Sequence, residues 1–104
     1  MAMRVKWTEE ANRTMERYFV CSADFYSKAL LRQLNNDLKR AKKLLEENPY
    51  IGQKEPLAAN RTFEYRRIVL SRPFKLIYFI HEETVYIANI WDTRRSVKNL
   101  VRNL

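Results

Sequence analysis

The chain has 104 residues, with 20 Lys or Arg against 12 Asp or Glu, and its formal net charge is +8. A single cysteine excludes an internal disulfide, and a chain of this length buries one core without a metal or cofactor, so we expect neither. The sequence has no apolar run of about eighteen residues and no signal-peptide pattern. We therefore expect one cytoplasmic domain over residues 1–104 that does not enter a membrane.

The basic excess is denser in the second half of the chain. Residues 1–60 hold eleven basic and eight acidic groups, net +3, whereas residues 61–104 hold nine and four, net +5. Such a surface suits a polyanion or an acidic protein partner. Charge alone does not choose between these two kinds of partner.

The first predicted elements are a short strand and a helix. The alternation in Met3 to Trp7 predicts the strand, and Thr8 stands where a helix N-cap belongs, before an acidic first turn of Glu9 and Glu10. The apolar residues of this helix lie on one stripe, formed by Ala11, Met15, Tyr18 and Phe19.

A longer helix follows the first. Its start is predicted at Ser22 to Asp24 and its end at Asn48, because the residue before Pro49 is pushed out of helical geometry. Apolar residues recur along it at three- and four-residue spacing, namely Leu30, Leu34, Leu38, Ala41 and Leu45. We expect the two helices to form a hairpin.

From Glu64 onward the period changes from helical to alternating. Three β-rich runs are predicted as strands, at Glu64 to Leu70, Phe74 to His81 and Thr84 to Trp91, joined by breaks short enough for antiparallel hairpins. Residues Thr93 to Leu104 can add a short C-terminal helix. The predicted fold is α+β in the order β-α-α-β-β-β, a four-stranded antiparallel sheet with the first strand at the edge of a three-stranded meander and the helical hairpin on one face.

Three parts of the sequence resemble a known family when they are taken in order. They are Pro49 to Gly52 after the long helix, Tyr65 to Ile68 followed by Phe74 to Tyr78, and Ile90 to Arg95 at the end of the last strand. With this order and spacing the chain resembles the RelE/ParE superfamily, small basic toxins of bacterial type II toxin-antitoxin modules. The resemblance implies a plasmid-stabilisation toxin that inhibits growth and is neutralised, in a hetero-oligomer, by a cognate acidic antitoxin.

One box resembles the RNA-cleaving branch of that superfamily. Gly52 to Leu57 is similar to the G-x-x-E-P-L box of YoeB-like members, which cleave mRNA on the ribosome. Such a ribonuclease needs a base for the ribose 2′-hydroxyl, cations for the phosphorane charge and an acid for the leaving oxygen. The resemblance implies Glu55 as the base, Arg67 and Lys75 as phosphate-stabilising residues, and Arg94 or Arg95 as the arginine of the terminal strand.

The acid of such a ribonuclease has no match in this chain. RNA-cleaving members usually place a tyrosine, often after a histidine, near the C-terminus, and neither residue type follows Arg95. The only histidine, His81, adjoins the Glu82-Glu83 turn, where we expect a surface residue. This departure favours the ParE-like branch, whose members poison DNA gyrase through protein contacts. Both targets, ribosome-bound mRNA and gyrase, stay open.

Other cations are candidates for contacts with the target or the antitoxin, namely Arg66, Arg72, Arg95 and Lys98. Because Arg66 and Arg67 are neighbours on a strand, they point to opposite faces of the sheet, so at most one of them serves a given surface. A third hypothesis is a non-toxic nucleic-acid-binding protein whose cations follow phosphates and whose tyrosines stack on bases, with Tyr65, Tyr78 and Tyr86 as the candidates.

Overall fold

The computed structural model describes residues 3–21, 26–58 and 62–94. In chain order the elements are strand β1 (Arg4–Trp7), helix α1 (Glu9–Glu16) continued by a π-helix (Arg17–Cys21), helix α2 (Lys28–Glu47), strand β2 (Gln53–Lys54), a 3₁₀ turn (Pro56–Ala58), and strands β3 (Arg66–Val69), β4 (Phe74–His81) and β5 (Thr84–Asp92). The predicted order of strand, two helices and three strands is confirmed, and β2 is additional.

Side-chain caps fix where both helices begin. The Thr8 hydroxyl accepts a hydrogen bond from the Ala11 amide (3.2 Å) and donates to the Ile87 carbonyl (2.9 Å), so the cap also ties α1 to β5. The hydroxyl of Ser27 caps α2 by accepting from the Leu30 amide (3.0 Å). The predicted start at Ser22 to Asp24 lies outside the described residues and was too early, since α2 begins at Lys28.

The sheet has five strands and is mixed, in the order β1-β5-β4-β3-β2. Strands β2 to β5 pair antiparallel, whereas β1 pairs parallel to β5, with Arg4 opposite Thr84 and Trp7 opposite Ile87. The predicted place of β1 at the edge of the meander is confirmed, but the predicted four-stranded antiparallel sheet is wrong. The extra strand β2 reverses the chain once more before the meander, and this reversal leaves β5 parallel to β1.

The end of β5 leads into a turn. Thr93 donates from its amide to the carbonyl of Pro73 (2.8 Å), and its hydroxyl donates to the same oxygen (2.9 Å). No helix therefore starts at Thr93 or Arg94, the only described residues of the predicted C-terminal helix, and residues 95–104 lie outside the described residues.

The two faces of the sheet differ in what covers them. One face packs against both helices around a buried core to which α2 contributes Leu31, Leu34, Leu38, Ala41 and Leu45. The opposite face, here called the helix-free face, carries a smaller cluster to which the described helices contribute nothing: Ile77, Ala88 and Trp91, with Tyr65 and Phe79 packed against them. Within the described ranges, no helix is long and apolar enough to cross a membrane.

Candidate functional site

Three residues that the resemblance to RNA-cleaving members implied meet on the helix-free face. The Glu55 carboxylate pairs with Arg67 Nη1 at 3.3 Å through one oxygen and with Lys75 Nζ through the other. The Glu55 side chain is 0% exposed, against 27% for Arg67 and 14% for Lys75. We call these three residues the ionic cluster, and its formal charge is +1.

Strand pairing explains why the ionic cluster forms. Gln53 lies opposite Arg67 in the β2–β3 pair, and the Glu55 amide continues that ladder by donating to the Tyr65 carbonyl (2.8 Å). The carboxylate of Glu55 also accepts from the Leu57 amide (3.3 Å), at the start of the 3₁₀ turn. Glu55 is therefore held by backbone as well as by side-chain contacts, and both of its oxygens are occupied.

The ammonium of Lys75 has a second neighbour. Its Nζ lies 5.0 Å from the centre of the Trp91 ring, a distance at which a cation is attracted to the ring face. Trp91 is almost completely buried, and its indole nitrogen has no hydrogen-bond acceptor among the residues that the structure describes. The ammonium thus lies between a carboxylate and an aromatic face.

Arg94 joins a different group, which we call the Asp92 group. Its side chain, 62% exposed, contacts both oxygens of the buried Asp92, through Nε at 3.1 Å and Nη2 at 2.9 Å. The Tyr26 hydroxyl donates to the same carboxylate at 2.6 Å, and the Arg94 amide donates at 2.9 Å. Asp92 therefore orients the Arg94 side chain, whose charge stays open to solvent. Arg94 pairs with Asp92 and not with Glu55.

The Asp92 group shifts the acidity of two of its members. Burial acts to raise the pKa of Asp92, but the hydrogen bonds from Arg94 and Tyr26 outweigh burial and bring the pKa below its usual value. Burial, together with the hydrogen bond to Asp92, raises the pKa of Tyr26 to about 12. At neutral pH the group therefore consists of a carboxylate, a neutral phenol and a guanidinium.

The other predicted cations that the structure describes, Arg66 and Arg72, do not join the ionic cluster. Arg66 points away from the ionic cluster and donates to the Gly52 carbonyl (2.7 Å), with its guanidinium 5.2 Å from the Tyr50 ring centre. Arg72 is exposed in the turn between β3 and β4. Arg95 and Lys98 lie outside the described residues. The structure thus brings Arg67 and Lys75 together, while Arg66 faces the opposite side, as the alternation predicted.

The Tyr78 side chain stabilises the turn after α2 and does not lie on the surface. Its hydroxyl accepts from the Gly52 amide (2.9 Å) and donates to the Pro49 carbonyl (2.8 Å), and its side chain is fully buried. The hypothesis that Tyr78 stacks on bases is therefore wrong, whereas Tyr65 and Tyr86 keep partly exposed rings. His81 is exposed, as predicted.

A comparison with protein families decides what kind of protein this is. The model of a family described as "ParE toxin of type II toxin-antitoxin system, parDE" matches residues 5–97. The chain belongs to the ParE toxin family. The predicted membership of the RelE/ParE superfamily is thereby confirmed.

A solved structure supports the fold of this ParE toxin. A chain of the structure titled "Chromosomal ParDE TA system from P. aeruginosa" is 19% identical and superposes with a TM-score of 0.63, covering 86% of this chain and 94% of that one. At this identity the likeness establishes the fold alone. No curated protein matches the sequence.

Family membership fixes the biological role at a coarse level. The protein is the toxin of a type II toxin-antitoxin module, and a ParE toxin has a cognate ParD antitoxin as its partner. Sequence reasoning missed two residues of this ParE toxin, Tyr26 and Asp92. Asp92 directly follows the Ile90-Trp91 pair of the terminal motif, but nothing in the sequence indicated that Tyr26 would reach it across 66 positions.

Proposed function

We propose that this ParE toxin, acting as one domain over residues 1–104, inhibits growth by binding DNA gyrase and does not cleave mRNA. The observation that carries the proposal is the complete burial of the Glu55 side chain inside the ionic cluster. Glu55 was the candidate base, and its environment fits a structural ion pair better than a catalytic carboxylate.

The chemistry of RNA cleavage supports this choice. A general base must reach the 2′-hydroxyl within hydrogen-bond distance. The oxygens of Glu55 are engaged by Lys75, Arg67 and the Leu57 amide, so a ribose would have to displace an existing partner. After Arg95 the sequence also holds no tyrosine or histidine that could protonate the leaving oxygen.

Exposed cations provide the proposed contact with the target. Arg94 is held by Asp92 while its guanidinium faces solvent. Arg72 is exposed in the β3–β4 turn. The two turns are neighbours, because the Thr93 hydroxyl donates to the Pro73 carbonyl. Arg95 and Lys98 add charge to the segment that follows. An arginine held in one orientation loses less side-chain entropy when it binds a carboxylate, which suits a protein contact.

We propose further that the cognate ParD antitoxin is acidic where it contacts the toxin and forms a hetero-oligomer with it. The net charge of +8 favours such a partner. By covering the exposed arginines, ParD would exclude the target from the same surface.

Two assays run side by side test the target. After induction in cells, primer extension detects new mRNA ends and plasmid topology reports gyrase activity. We expect lost supercoiling without new mRNA ends, and Arg94→Ala should weaken the gyrase effect. Glu64→Gln, which changes a half-exposed carboxylate paired with Lys54 and Arg66, is the control and should leave both readouts unchanged.

One observation favours ribosome-dependent mRNA cleavage as the second candidate. The three residues assigned to base and phosphate contacts do meet in the ionic cluster. If cleavage occurred, new mRNA ends would appear on ribosome-associated mRNA and would vanish in Glu55→Gln, provided that variant is folded. That result would reject gyrase binding as the mechanism.

A further inference from the structure

The helix-free face carries a row of stacked aromatic rings. The Phe63 and Phe79 rings are 4.2 Å apart between centres and 13° from parallel, and Phe79 and Tyr86 are 5.2 Å apart and 17° from parallel. Tyr65 meets Phe79 edge-on, at 5.5 Å and 79°. We call Phe63, Phe79 and Tyr86 the ring row, and each of the three is only partly buried.

Cations flank the ring row on two sides. On β1, Lys6 lies opposite Tyr86 and Arg4 opposite Thr84, and both basic residues are exposed. Val5 and Trp7 pack against the helix-side core, so the strand alternation places Arg4 and Lys6 on the helix-free face. On the other side lie Arg67 and Lys75 of the ionic cluster. Four cations therefore lie on the same surface as the aromatic rings, and no described helix covers that surface.

Among the described carboxylates near this arrangement, Glu64 is paired with Lys54 and Arg66. Glu55 is buried and already neutralised within the ionic cluster. Glu82 and Glu83 are exposed at the β4–β5 turn, beyond the His81 end of the face. A polyanion is therefore repelled at the turn and attracted toward Lys75, which is four residues, or about 13 Å, along β4 from Phe79.

We infer that the helix-free face of this toxin binds a short unpaired segment of nucleic acid. The ring row offers its end faces to bases, and the cations on β1 and in the ionic cluster offer contacts to phosphates. A four-stranded sheet that stacks bases on surface aromatics, and grooves that combine rings with cations, are established solutions for unpaired strands. Bases and phosphates are common to DNA and RNA. The helix-free face therefore recognises the unpaired strand and not its sugar. This inference does not depend on gyrase being the target.

The test is fluorescence anisotropy with the purified full chain and labelled oligothymidylate and oligouridylate of about 12 nucleotides, within the usual site sizes. A duplex of the same length is the comparison. We expect saturable binding of both single strands and weaker binding of the duplex. Tighter binding of only one of the two single strands than of the duplex also supports the site. Equal or tighter binding of the duplex overturns the inference.

Matched charge variants test the location. Lys6→Glu on the helix-free face and Lys39→Glu on exposed α2 change the net charge equally. If Lys6 contacts a phosphate, only Lys6→Glu lowers the slope of log affinity against log salt, by about 0.7 for a single strand. Equal losses in the two variants would mean nonspecific attraction and would overturn the inference.

A ring variant tests stacking. Tyr86→Leu keeps an apolar side chain at the end of the ring row and should weaken single-strand binding about five- to 150-fold, the range for loss of one stacked base. Phe19→Leu, a partly exposed aromatic on the helical side, is the control and should leave affinity unchanged. Circular dichroism and thermal melting check the folding of both variants. If Tyr86→Leu is folded and binds normally, or if ParD but no oligonucleotide binds this face, the inference is wrong.

Discussion

Gly52 owes its identity to a close approach of the backbone. A β-carbon built there would lie 2.6 Å from the Arg67 carbonyl oxygen and 2.6 Å from the Tyr78 hydroxyl. The Tyr78 ring can move aside only if its hydroxyl loses its hydrogen bonds to the turn. The Arg67 carbonyl cannot move without shifting the backbone of β3. The glycine of the Pro49 to Gly52 turn is thus a steric requirement of the sheet beside it.

We expect Gly52→Ala to destabilise the protein by about 1–3 kcal/mol, the usual cost of overpacking a closed site. Urea denaturation measures the free energy of unfolding. Ala58→Gly, in the 3₁₀ turn that follows, is a useful contrast because it removes a buried methyl group without creating a contact. A Gly52→Ala protein as stable as the parent would contradict this explanation of the turn.

Glu55 offers a second prediction at the residue scale. Glu55→Gln leaves Lys75 and Arg67 without their counter-charge, which should lower the free energy of unfolding by about 3 kcal/mol. That figure is the lower end for breaking a buried pair, because the two cations keep some access to water. Glu64→Gln should cost less than about 0.5 kcal/mol, since the Glu64 side chain is 55% exposed and its carboxylate stays in contact with water. Equal stability of the two variants would show that the ionic cluster contributes nothing.

At the scale of elements, one carboxylate joins α2 to the β3–β4 turn. Asp37 accepts from the Ser71 amide (2.9 Å) and from Arg40 (2.6 Å) and Gln33 (3.0 Å) on its own helix. Burial acts to raise the pKa of Asp37, but the hydrogen bonds from Ser71, Gln33 and Arg40 outweigh it and lower the pKa below 3.8. The charged form is thus the one that holds the turn.

The sign of the pH dependence follows from that shift. Because the folded-state pKa is lowered, Asp37 contributes its full stability above pH 3.8 and loses it as the pH falls through the lower folded value. We expect Asp37→Asn to cost about 1–3 kcal/mol at neutral pH. Melting temperatures measured from pH 7 downward should converge for parent and variant at acid pH. A gap that stays constant below pH 3.8 would contradict the role of the charge.

The β4–β5 turn uses residues poorly suited to its backbone. Glu82 and Glu83 have positive φ values of 47° and 64°, which favour Asn and Gly in a two-residue hairpin. The double change Glu82→Asn with Glu83→Gly should therefore stabilise the protein by about 1–2 kcal/mol. Thermal melting tests this gain. Glu82→Gln with Glu83→Gln removes the same charges without relieving the backbone, so an equal gain there would assign the effect to charge.

Local patterns predicted most of the elements but not how the sheet is completed. Strand β4 has the predicted bounds, because its apolar alternation is long and its turns are short. Strand β2 escaped prediction since two residues, Gln53 and Lys54, carry no periodicity. Whether β1 runs parallel or antiparallel to β5 depends on how many times the chain reverses direction between them. Because β2 was not predicted, the predicted direction was wrong. In α2 the buried stripe includes Leu31, whereas Leu30 is only partly buried, because Leu31 lies seven and fourteen residues before Leu38 and Leu45 and so shares their face of the helix.

The site was predictable only where a motif named its residues. The resemblance to RNA-cleaving members named the residues of the ionic cluster, but their pairing and the burial of Glu55 depend on strands that meet in three dimensions. The ring row draws on residues from a loop and two strands, and no spacing along the chain places Phe63 on Phe79. Tyr26 and Asp92 likewise meet only after the helices have packed.

At the scale of the whole molecule, charge should govern association with ParD. The net charge of +8 and the exposed Arg94 predict that the affinity of the toxin for its antitoxin falls as salt rises. Titration calorimetry at low and high salt, with Arg94→Ala beside Lys43→Ala on exposed α2, measures this. Arg94→Ala should reduce both affinity and salt dependence more than Lys43→Ala. Salt-independent affinity would contradict an acidic contact surface on ParD.

The pairing of β1 with β5 has a consequence for the time course of synthesis. The Thr8 hydroxyl that caps α1 lies within hydrogen-bond distance of the carbonyls of Ile87 and Ala88, the latter 80 positions later, and every pair between β1 and β5 spans a similar separation. Such a high contact order delays folding, because a long loop must close before the pairing is gained. A nascent chain that ends before Thr84 lacks the strand that joins β1 to β4. Pairing of β1 can therefore occur only after β5 has been synthesised, and we expect the sheet to be completed late in translation.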